Sequence, residues 1–371
     1  MTTTRFVKLA LFGALGLGAL SAPASANPTL LFELNTGKVL AHEDAFKRWY
    51  PASLTKMMTA YVAFRAIEAG EVALDSPIRM TRTAVNQPPS KMGFKVGQVM
   101  RLDNALKMMM IKSANDVAMA IGENIGGTQA DFARRMNAEA ARLGMTGSHF
   151  VNPNGLFAPE QYTTARDMAL LVTALRRDFP QYNAWYGIEG LAFGKTRIPN
   201  YNLLVGRYPG ADGMKTGFVC ESGFNLIGTA TRNGRTLAAV VLGEKNGLAR
   251  AEAVAKLLDE GFATTGSGSA SIATLAAYGD TQTPTDLRPV VCKPAEAATQ
   301  SEASTGPKED RPKSIYQQKL TDPKLVVVSL GGATGPVPKA MIGRAEYADV
   351  PVPGWRPDLP PPVFATSAQG G

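Results

Sequence analysis

Short apolar segments predict β-strands near both ends of the first 265 residues. In each pair, two apolar segments flank a turn-forming sequence, Asn35-Thr36-Gly37 in the first and Asn233-Gly234 in the second. Such turns between apolar segments are typical of β-hairpins. The predicted strands span residues 29–34, 38–41, 225–230 and 236–242.

Between and after these strands, apolar residues recur every three or four positions, which predicts amphipathic helices. In the first helix the apolar face is formed by Leu54, Met57, Met58, Tyr61 and Phe64, and Gly70 ends it. The predicted helices span residues 53–69, 102–111, 115–124, 128–143, 164–177 and 249–262. Strands at both ends with helices between them predict one α/β (α+β) domain over residues 27–264, with a sheet and a helical lobe.

Residues 265–371 have a different composition, rich in proline and glycine, and we expect a partly ordered tail without its own core. Residues 294–313 are typical of a charged, flexible linker, and residues 350–362 of polyproline conformation. Residues 324–330 are the one strand candidate in this region. The sequence leaves open whether the tail packs on the domain or binds a partner.

The first 26 residues have the pattern of a secretory signal peptide. Arg5 and Lys8 precede an apolar run from Leu9 to Leu20, and Ala24-Ser25-Ala26 supplies small residues for cleavage after Ala26. The alternative is a retained anchor, for which this run is short. We therefore expect an exported, periplasmic protein.

Charge excludes few classes of function. Loss of Arg5 and Lys8 with the signal peptide lowers the formal net charge from +8 to +6, which permits peripheral association with an anionic envelope or membrane surface. No Lys/Arg run interleaved with aromatic residues indicates nucleic-acid binding. No Cys/His cluster has metal-ligand spacing, so we expect no metal and no cofactor.

The chain has two cysteines, Cys220 and Cys292. An even number in an exported protein permits one disulfide, and two free thiols are the alternative.

Ser53 and Lys56 are the first candidate catalytic residues. They lie three positions apart at a predicted helix start, so both side chains share one face, and the helix dipole favours negative charge developing on the serine oxygen. For a lone pair of this kind, an N-cap serine beside a solvated lysine is the ordinary explanation. The chain has only His42 and His149, neither in a triad context, which favours a lysine as the base. A lysine acts as a base near neutral pH only when its pKa falls by about three units, which burial and a second ammonium group promote.

Two further motifs carry suitable groups. Ser113-Ala114-Asn115 places a hydroxyl and an amide before a predicted helix, where they relay a proton and hold a substrate amide, or simply cap the helix. In Lys215-Thr216-Gly217-Phe218, the first two residues suit a substrate carboxylate and the glycine allows close approach of a substrate backbone. Backbone N–H groups of Ser53 and Phe218 would form an oxyanion hole.

Together these motifs resemble the low-molecular-mass D-alanyl-D-alanine carboxypeptidases, which are serine-type penicillin-binding proteins. The motifs S-x-x-K, S-D-N and K-T-G are the signature of penicillin-binding proteins and of class A β-lactamases, and this chain has Ser-Ala-Asn as the second motif. Residues 50–59, 164–169 and 212–217 strengthen the resemblance, which covers about residues 29–263.

The resemblance implies a β-lactamase/transpeptidase-like fold, an antiparallel sheet flanked by helices plus a helical lobe. It implies that a peptidoglycan stem peptide acylates Ser53 and releases D-alanine, with Lys56 as the proton acceptor, and that β-lactam antibiotics inhibit the enzyme. Matching to the family pattern also assigns Arg250 to the substrate carboxylate.

Two positions depart from the family pattern. Asn154 stands where many relatives have histidine, and Phe218 where a smaller polar residue is common. The alternatives are a β-lactamase or a D,D-endopeptidase using the same site, and a non-catalytic wall-binding protein. Ser-Ala-Asn instead of Ser-Asp-Asn, with no assignable deacylating glutamate, argues against the β-lactamase.

Overall fold

The computed structural model describes residues 27–264, 270–279, 281, 283–292 and 322–342. The predicted signal peptide, the linker at 294–313 and the polyproline end at 350–362 lie outside these residues. The strands are β1 (Thr29–Glu33), β2 (Val39–Glu43), β3 (Pro77–Arg79), β4 (Val99–Arg101), β5 (Gly190–Phe193), β6 (Thr196–Pro199), β7 (Ala211–Val219), β8 (Gly223–Arg232), β9 (Arg235–Glu244) and β10 (Leu325–Val327). The helices are α1 (Thr55–Glu68), α2 (Arg82–Val85), α3 (Leu102–Ile111), α4 (Asn115–Gly126), α5 (Gln129–Arg142), α6 (Ala165–Asp178), α7 (Asn183–Tyr186), α8 (Gly247–Ala263) and α9 (Arg288–Val291).

The main sheet is antiparallel and has the strand order β2-β1-β9-β8-β7. Side chains of β9 alternate between its two faces, as the two-residue period of a strand requires. Leu237, Ala239 and Val241 pack towards α8, whereas Ala238 and Val240 belong to the core shared with the helical lobe. The sheet is therefore covered on both faces. β7 is an outer strand of this sheet, so its edge can border a site.

The helical lobe is built around α4, whose side chains are buried along most of its length. Two helices of the domain, α5 and α6, begin with a threonine N-cap. Thr128 Oγ1 accepts the Asp131 N–H at the start of α5, and Thr164 Oγ1 accepts the Asp167 N–H at the start of α6. The caps explain why both helices start one residue after the predicted position.

The described parts of the C-terminal region pack on the domain. β10 lies parallel to β5, in a small sheet with the order β10-β5-β6. Cys220, after β7, forms a disulfide with Cys292, after α9, with an S–S distance of 2.04 Å. Arg288 of the same C-terminal segment pairs with Glu221 beside the disulfide.

The predicted strands and helices are confirmed, with ends shifted by a few residues. The candidate at 324–330 is confirmed as the shorter β10. The predicted first helix starts differently, because Ala52–Leu54 form a 3₁₀ turn and α1 begins only at Thr55. Among the described residues, no helix has the length and apolarity needed to cross a bilayer.

Candidate active site

Ser53 lies in the 3₁₀ turn before α1, between the sheet and the helical lobe. Asn225 of β8 binds the segment that leads into this turn. Its Nδ2 donates to the carbonyl oxygens of Tyr50, at 3.0 Å, and Pro51, at 3.3 Å. The side-chain oxygen of Asn225 accepts the Gly243 N–H at 2.9 Å. A buried amide within an apolar strand therefore joins the sheet to the segment that carries the serine.

Lys56 is fully buried beside Ser53. Its Nζ lies 2.8 Å from Ser53 Oγ, 2.8 Å from Asn115 Oδ1 and 2.6 Å from the carbonyl oxygen of Asn154. The latter two atoms are hydrogen-bond acceptors only. Lys56 therefore links the serine to the lobe and to the loop at 152–156.

Ser113 and Asn115 occupy the tight turn between α3 and α4. Ser113 has a φ of 60°, in the left-handed region that non-glycine residues seldom occupy. The residue at the N-cap of α4 is Ala114, and no side chain caps the helix there. Helix capping therefore does not explain the serine or the asparagine, and both face the site through Lys215 and Lys56.

Lys215 projects from β7, the outer strand of the main sheet, and is buried like Lys56. Its Nζ donates to Ser113 Oγ at 3.0 Å and to the carbonyl oxygen of Thr216 at 2.9 Å. Together with the Lys56–Asn115 contact, this bond brings all three motifs into one cluster.

Gly217 lies directly against the serine turn. A Cβ atom at this position would lie 2.9 Å from the Pro51 oxygen and 3.1 Å from the nitrogen of Ser53. Such distances are shorter than ordinary contacts of a side chain, so this strand requires glycine here. Phe218 follows Gly217 on this strand, and the oxyanion hole formed by the N–H groups of Ser53 and Phe218 stays a prediction.

Phe218 and Arg250 contact the protein interior. The Phe218 ring stacks on Phe224 with centroids 4.1 Å apart, against the disulfide of Cys220. Arg250, on α8, donates through Nη1 to the carbonyl oxygens of Gly217, at 3.0 Å, and Asn225, at 3.1 Å. Arg250 thus supports the strand that borders the site, and its contact with a substrate carboxylate stays a prediction.

Tyr50, three residues before Ser53, forms an aromatic pair with Phe157. Tyr50 and Phe157 meet edge to face with centroids 5.1 Å apart, and Phe157 is 42% exposed. Burial, followed by the negative charges of Asp286 and Glu160, raises the pKa of Tyr50 above its usual value. Since a tyrosine is already uncharged at neutral pH, the raised pKa delays its ionisation only in alkaline solution.

The two histidines form their hydrogen bonds outside the cluster around Ser53. His42 Nδ1 contacts the Tyr278 hydroxyl, and His149 Nδ1 contacts the carbonyl oxygen of Glu160. Within the described ranges, no group of three or more His, Cys, Asp or Glu residues has metal-binding geometry.

Sequence reasoning missed two contributors to the site, the Asn154 carbonyl and Asn225. In the sequence, Asn154 stands out only as a departure from the family pattern. In the structure its backbone oxygen contacts Lys56, and its Nδ2 donates to Gln87 Oε1 at 2.7 Å. For Asn225 a signal existed, namely a polar amide in the apolar segment Gly223-Phe224-Asn225-Leu226. A backbone contact such as that of Asn154 has no signal in the side-chain pattern.

An antiparallel sheet, a helical lobe and a Ser-Lys cluster between them define the fold of penicillin-binding proteins and D,D-transpeptidases, which confirms the expected fold class. The peptidase S11 family, described as D-alanyl-D-alanine carboxypeptidase, matches residues 19–246. The chain belongs to this family.

Three relatives illustrate the similarity. The carboxypeptidase DacC of Escherichia coli K12 is 38% identical over 244 residues, which cover 64% of this chain and 61% of the relative. Penicillin-binding protein 5 of Haemophilus influenzae superposes with a TM-score of 0.62 at 32% identity, covering 64% of this chain and 71% of that chain. Penicillin-binding protein D2 of Listeria monocytogenes, in its ampicillin-bound form, gives a TM-score of 0.59 at 29% identity, covering 64% of this chain and 98% of that chain. The match to DacC thus spans about three fifths of the relative's length.

Gly155 yields a prediction about the assembly of the site. It has a φ of +83°, and a Cβ there would lie 1.9 Å from the oxygen of Ala52, next to the nucleophile. We expect Gly155→Ala to lower the free energy of unfolding by about 1–2 kcal/mol through backbone strain and by a further 1–3 kcal/mol or so through overpacking. Penicillin acylation should slow as well, because Ala52 must move. Urea unfolding and acylation kinetics measure both effects.

Gly144→Ala is the matched control, because Gly144 has a φ of +72° and open space around its Cβ position. It should show only the backbone cost and react at the wild-type rate. Equal behaviour of the two variants would show that the contact with Ala52 does not matter.

Proposed function

We propose that this protein is a serine D,D-carboxypeptidase that removes the terminal D-alanine from peptidoglycan pentapeptide stems, and that penicillins acylate the same serine. The observation that carries the proposal is the contact set of Lys56, whose Nζ meets Ser53 Oγ and two acceptor-only oxygens. Family membership supports the substrate class.

In this proposal Lys56 reacts as a neutral amine, which has two N–H groups and one lone pair. When its N–H groups are donated to Asn115 Oδ1 and the Asn154 oxygen, the lone pair is directed at Ser53 Oγ. Full burial disfavours the charged ammonium form. Lys56 is thereby arranged to accept the serine proton.

Acylation then proceeds in two bond changes. Ser53 Oγ transfers its proton to Lys56 and attacks the carbonyl carbon of the penultimate D-alanine, while the N–H groups of Ser53 and Phe218 stabilise the oxyanion. The peptide C–N bond breaks next, and the leaving amine takes up the serine proton from Lys56, relayed through the Ser113 hydroxyl, which Lys215 holds at 3.0 Å; Lys56 is then neutral again. The products are D-alanine and an ester on Ser53.

Water hydrolyses this ester. Its hydroxyl adds to the carbonyl carbon, the C–O bond to Ser53 breaks and the serine oxygen regains a proton, which releases the shortened stem. Thr216 and Lys215 on β7 bind the substrate carboxylate in this proposal, with Arg250 supporting the strand from α8.

The proposal also includes a periplasmic location for this protein. The secretory pattern of the first 26 residues and a disulfide between Cys220 and Cys292 both suit the periplasm. The basic net charge suits peripheral contact with an anionic envelope. We propose no binding partner for the C-terminal region.

One experiment tests the function. Purified protein is incubated with labelled penicillin, and a second sample with a pentapeptide ending in D-Ala-D-Ala, and adduct mass, label position and free D-alanine are followed. We expect a long-lived adduct on Ser53 and release of one D-alanine per peptide. An adduct that hydrolyses rapidly without D-alanine release indicates a β-lactamase, and cleavage only of cross-linked dimers indicates an endopeptidase. Absence of any adduct on Ser53 refutes the acyl-enzyme mechanism.

A further inference from the structure

A loop at residues 88–93 lies against the turn that carries Ser113 and Asn115. The Asn115 N–H donates to the Ser90 oxygen at 2.7 Å, and Ser90 Oγ donates to the Lys112 oxygen at 3.0 Å. Asn115 Nδ2 donates to the Pro88 oxygen at 3.0 Å. The loop therefore contacts the turn on both sides of Ser113.

The contact of Asn115 with Pro88 sets the orientation of its side-chain amide. An amide has one oxygen and one NH₂ group. Because the NH₂ group is directed at Pro88, the oxygen is directed at Lys56 Nζ, 2.8 Å away. If the amide turned over, its NH₂ group would face Lys56 and compete for the lone pair that the serine proton requires.

Asp116 fixes the far end of this loop. Its carboxylate is fully buried and accepts three backbone N–H groups, from Met92 at 3.0 Å, Gly93 at 2.9 Å and Val117 at 2.9 Å. It lies in the first turn of α4, where the helix dipole favours a negative charge. One buried group thus joins the loop to the helix that begins with Asn115.

We infer that Asp116 is a positioning residue for the acylation step, which it serves by holding the loop at 88–93 and, through Pro88, the amide orientation of Asn115. This inference rests on the proposed function. Asp116 acts on the protonation geometry of Lys56 without touching substrate. The groups proposed to bind the substrate carboxylate, Lys215 and Thr216, lie on β7 and not on this loop.

Asp116→Asn tests the inference with little change in volume. The new NH₂ group would face a backbone N–H of Met92 or Gly93, so one end of the loop loses its acceptor. We expect kcat for the pentapeptide to fall about 10- to 100-fold, because small misplacements of catalytic groups have effects of this size. KM should stay within about threefold.

Asp167→Asn is the matched control for stability. Asp167 is also buried in the first turn of a helix and accepts a loop N–H, that of Gly147 at 2.8 Å. We expect a comparable fall in melting temperature without the fall in kcat. Ser90→Ala, which removes only the bond from Ser90 Oγ to the Lys112 oxygen, should lower kcat in the same direction but less, and it tests the role of the loop if Asp116→Asn does not fold.

A double-mutant cycle with Asn115→Ala separates positioning from general destabilisation. If Asp116 acts through Asn115, adding Asp116→Asn to Asn115→Ala should lower kcat no further. Independent, multiplying effects of the two substitutions overturn the inference, and so does a wild-type kcat in Asp116→Asn.

Hydrogen exchange gives a readout that needs no activity. The amides of Met92 and Gly93 should exchange at least about tenfold faster in Asp116→Asn than in the wild type, and remain unchanged in Asp167→Asn. If the wild-type protein forms no adduct, the proposed function fails, and exchange alone then decides the positioning role. Unchanged exchange at 92 and 93 overturns it, and faster exchange supports it.

Discussion

Lys56→Ala is expected to reduce the rate of penicillin acylation between about 10²-fold and 10⁴-fold, the usual contribution of a positioned general base. The variant keeps Ser53 but removes the group that lies 2.8 Å from its hydroxyl. It also leaves two buried acceptors without their lysine donor, at a cost of about 1–3 kcal/mol each in the free energy of unfolding when water does not replace it. Stopped-flow or mass-resolved acylation measures the rate, and circular dichroism and thermal unfolding establish that the variant is folded.

Two comparisons sharpen this test. Lys95→Ala removes an exposed lysine near the loop at 88–93 and should leave acylation unchanged. Addition of a small primary amine should restore part of the rate of Lys56→Ala, because the removed side chain leaves a buried space beside Ser53. Acylation at the wild-type rate in Lys56→Ala would remove this lysine from the role of base.

Removal of the disulfide between Cys220 and Cys292 should lower the free energy of unfolding by about 4 kcal/mol. The bond closes a loop with a sequence separation of 72 residues, and loops of this length give a stabilisation of that order in the chain-entropy model. Cys220→Ser with Cys292→Ser, compared with the oxidised wild type in urea, measures the loss. Acylation should fall only modestly, because the disulfide packs against the Phe218 side chain, whereas the proposed oxyanion hole uses the Phe218 backbone N–H.

The single substitutions provide the control. Each one removes the same covalent bond, so Cys220→Ser, Cys292→Ser and the double variant should lose nearly equal stability. Free thiols would instead give small effects that add. A reducing agent should destabilise the wild type to the level of the double variant and leave that variant unaffected.

The long elements could be predicted from the sequence because their patterns are local. Helix α3 begins at Leu102 and ends at Ile111, as the periodicity indicates, and the Asn233-Gly234 turn joins β8 to β9. The three motifs likewise identified residues that the structure brings together. Motifs are recognised from residue types at fixed spacing, and neither the fold nor the distances are needed for that.

Short elements and backbone contacts could not be predicted. β3 and β4 have three residues each, too few for a two-residue period to be recognised, whereas β10 lies within the longer apolar segment that predicted it. The parallel pairing of β10 with β5 joins segments more than a hundred residues apart. Contacts of Lys56 with the Asn154 oxygen and of Asn115 with the Pro88 oxygen involve backbone atoms, which every residue type supplies.

The order of the elements along the chain limits when the cluster around Ser53 can form during synthesis. Thr29 pairs with Val241, so the first strand of the domain stays without this neighbour until about two hundred further residues have been made. Lys215 and Gly217 also come late in the chain, well after the serine and the turn at 113–115. A partly synthesised chain therefore contains Ser53 but not the strand that completes its surroundings. The chemistry proposed for Ser53 becomes available only in the closing stage of folding, and an unfinished chain has an open strand edge that is prone to association.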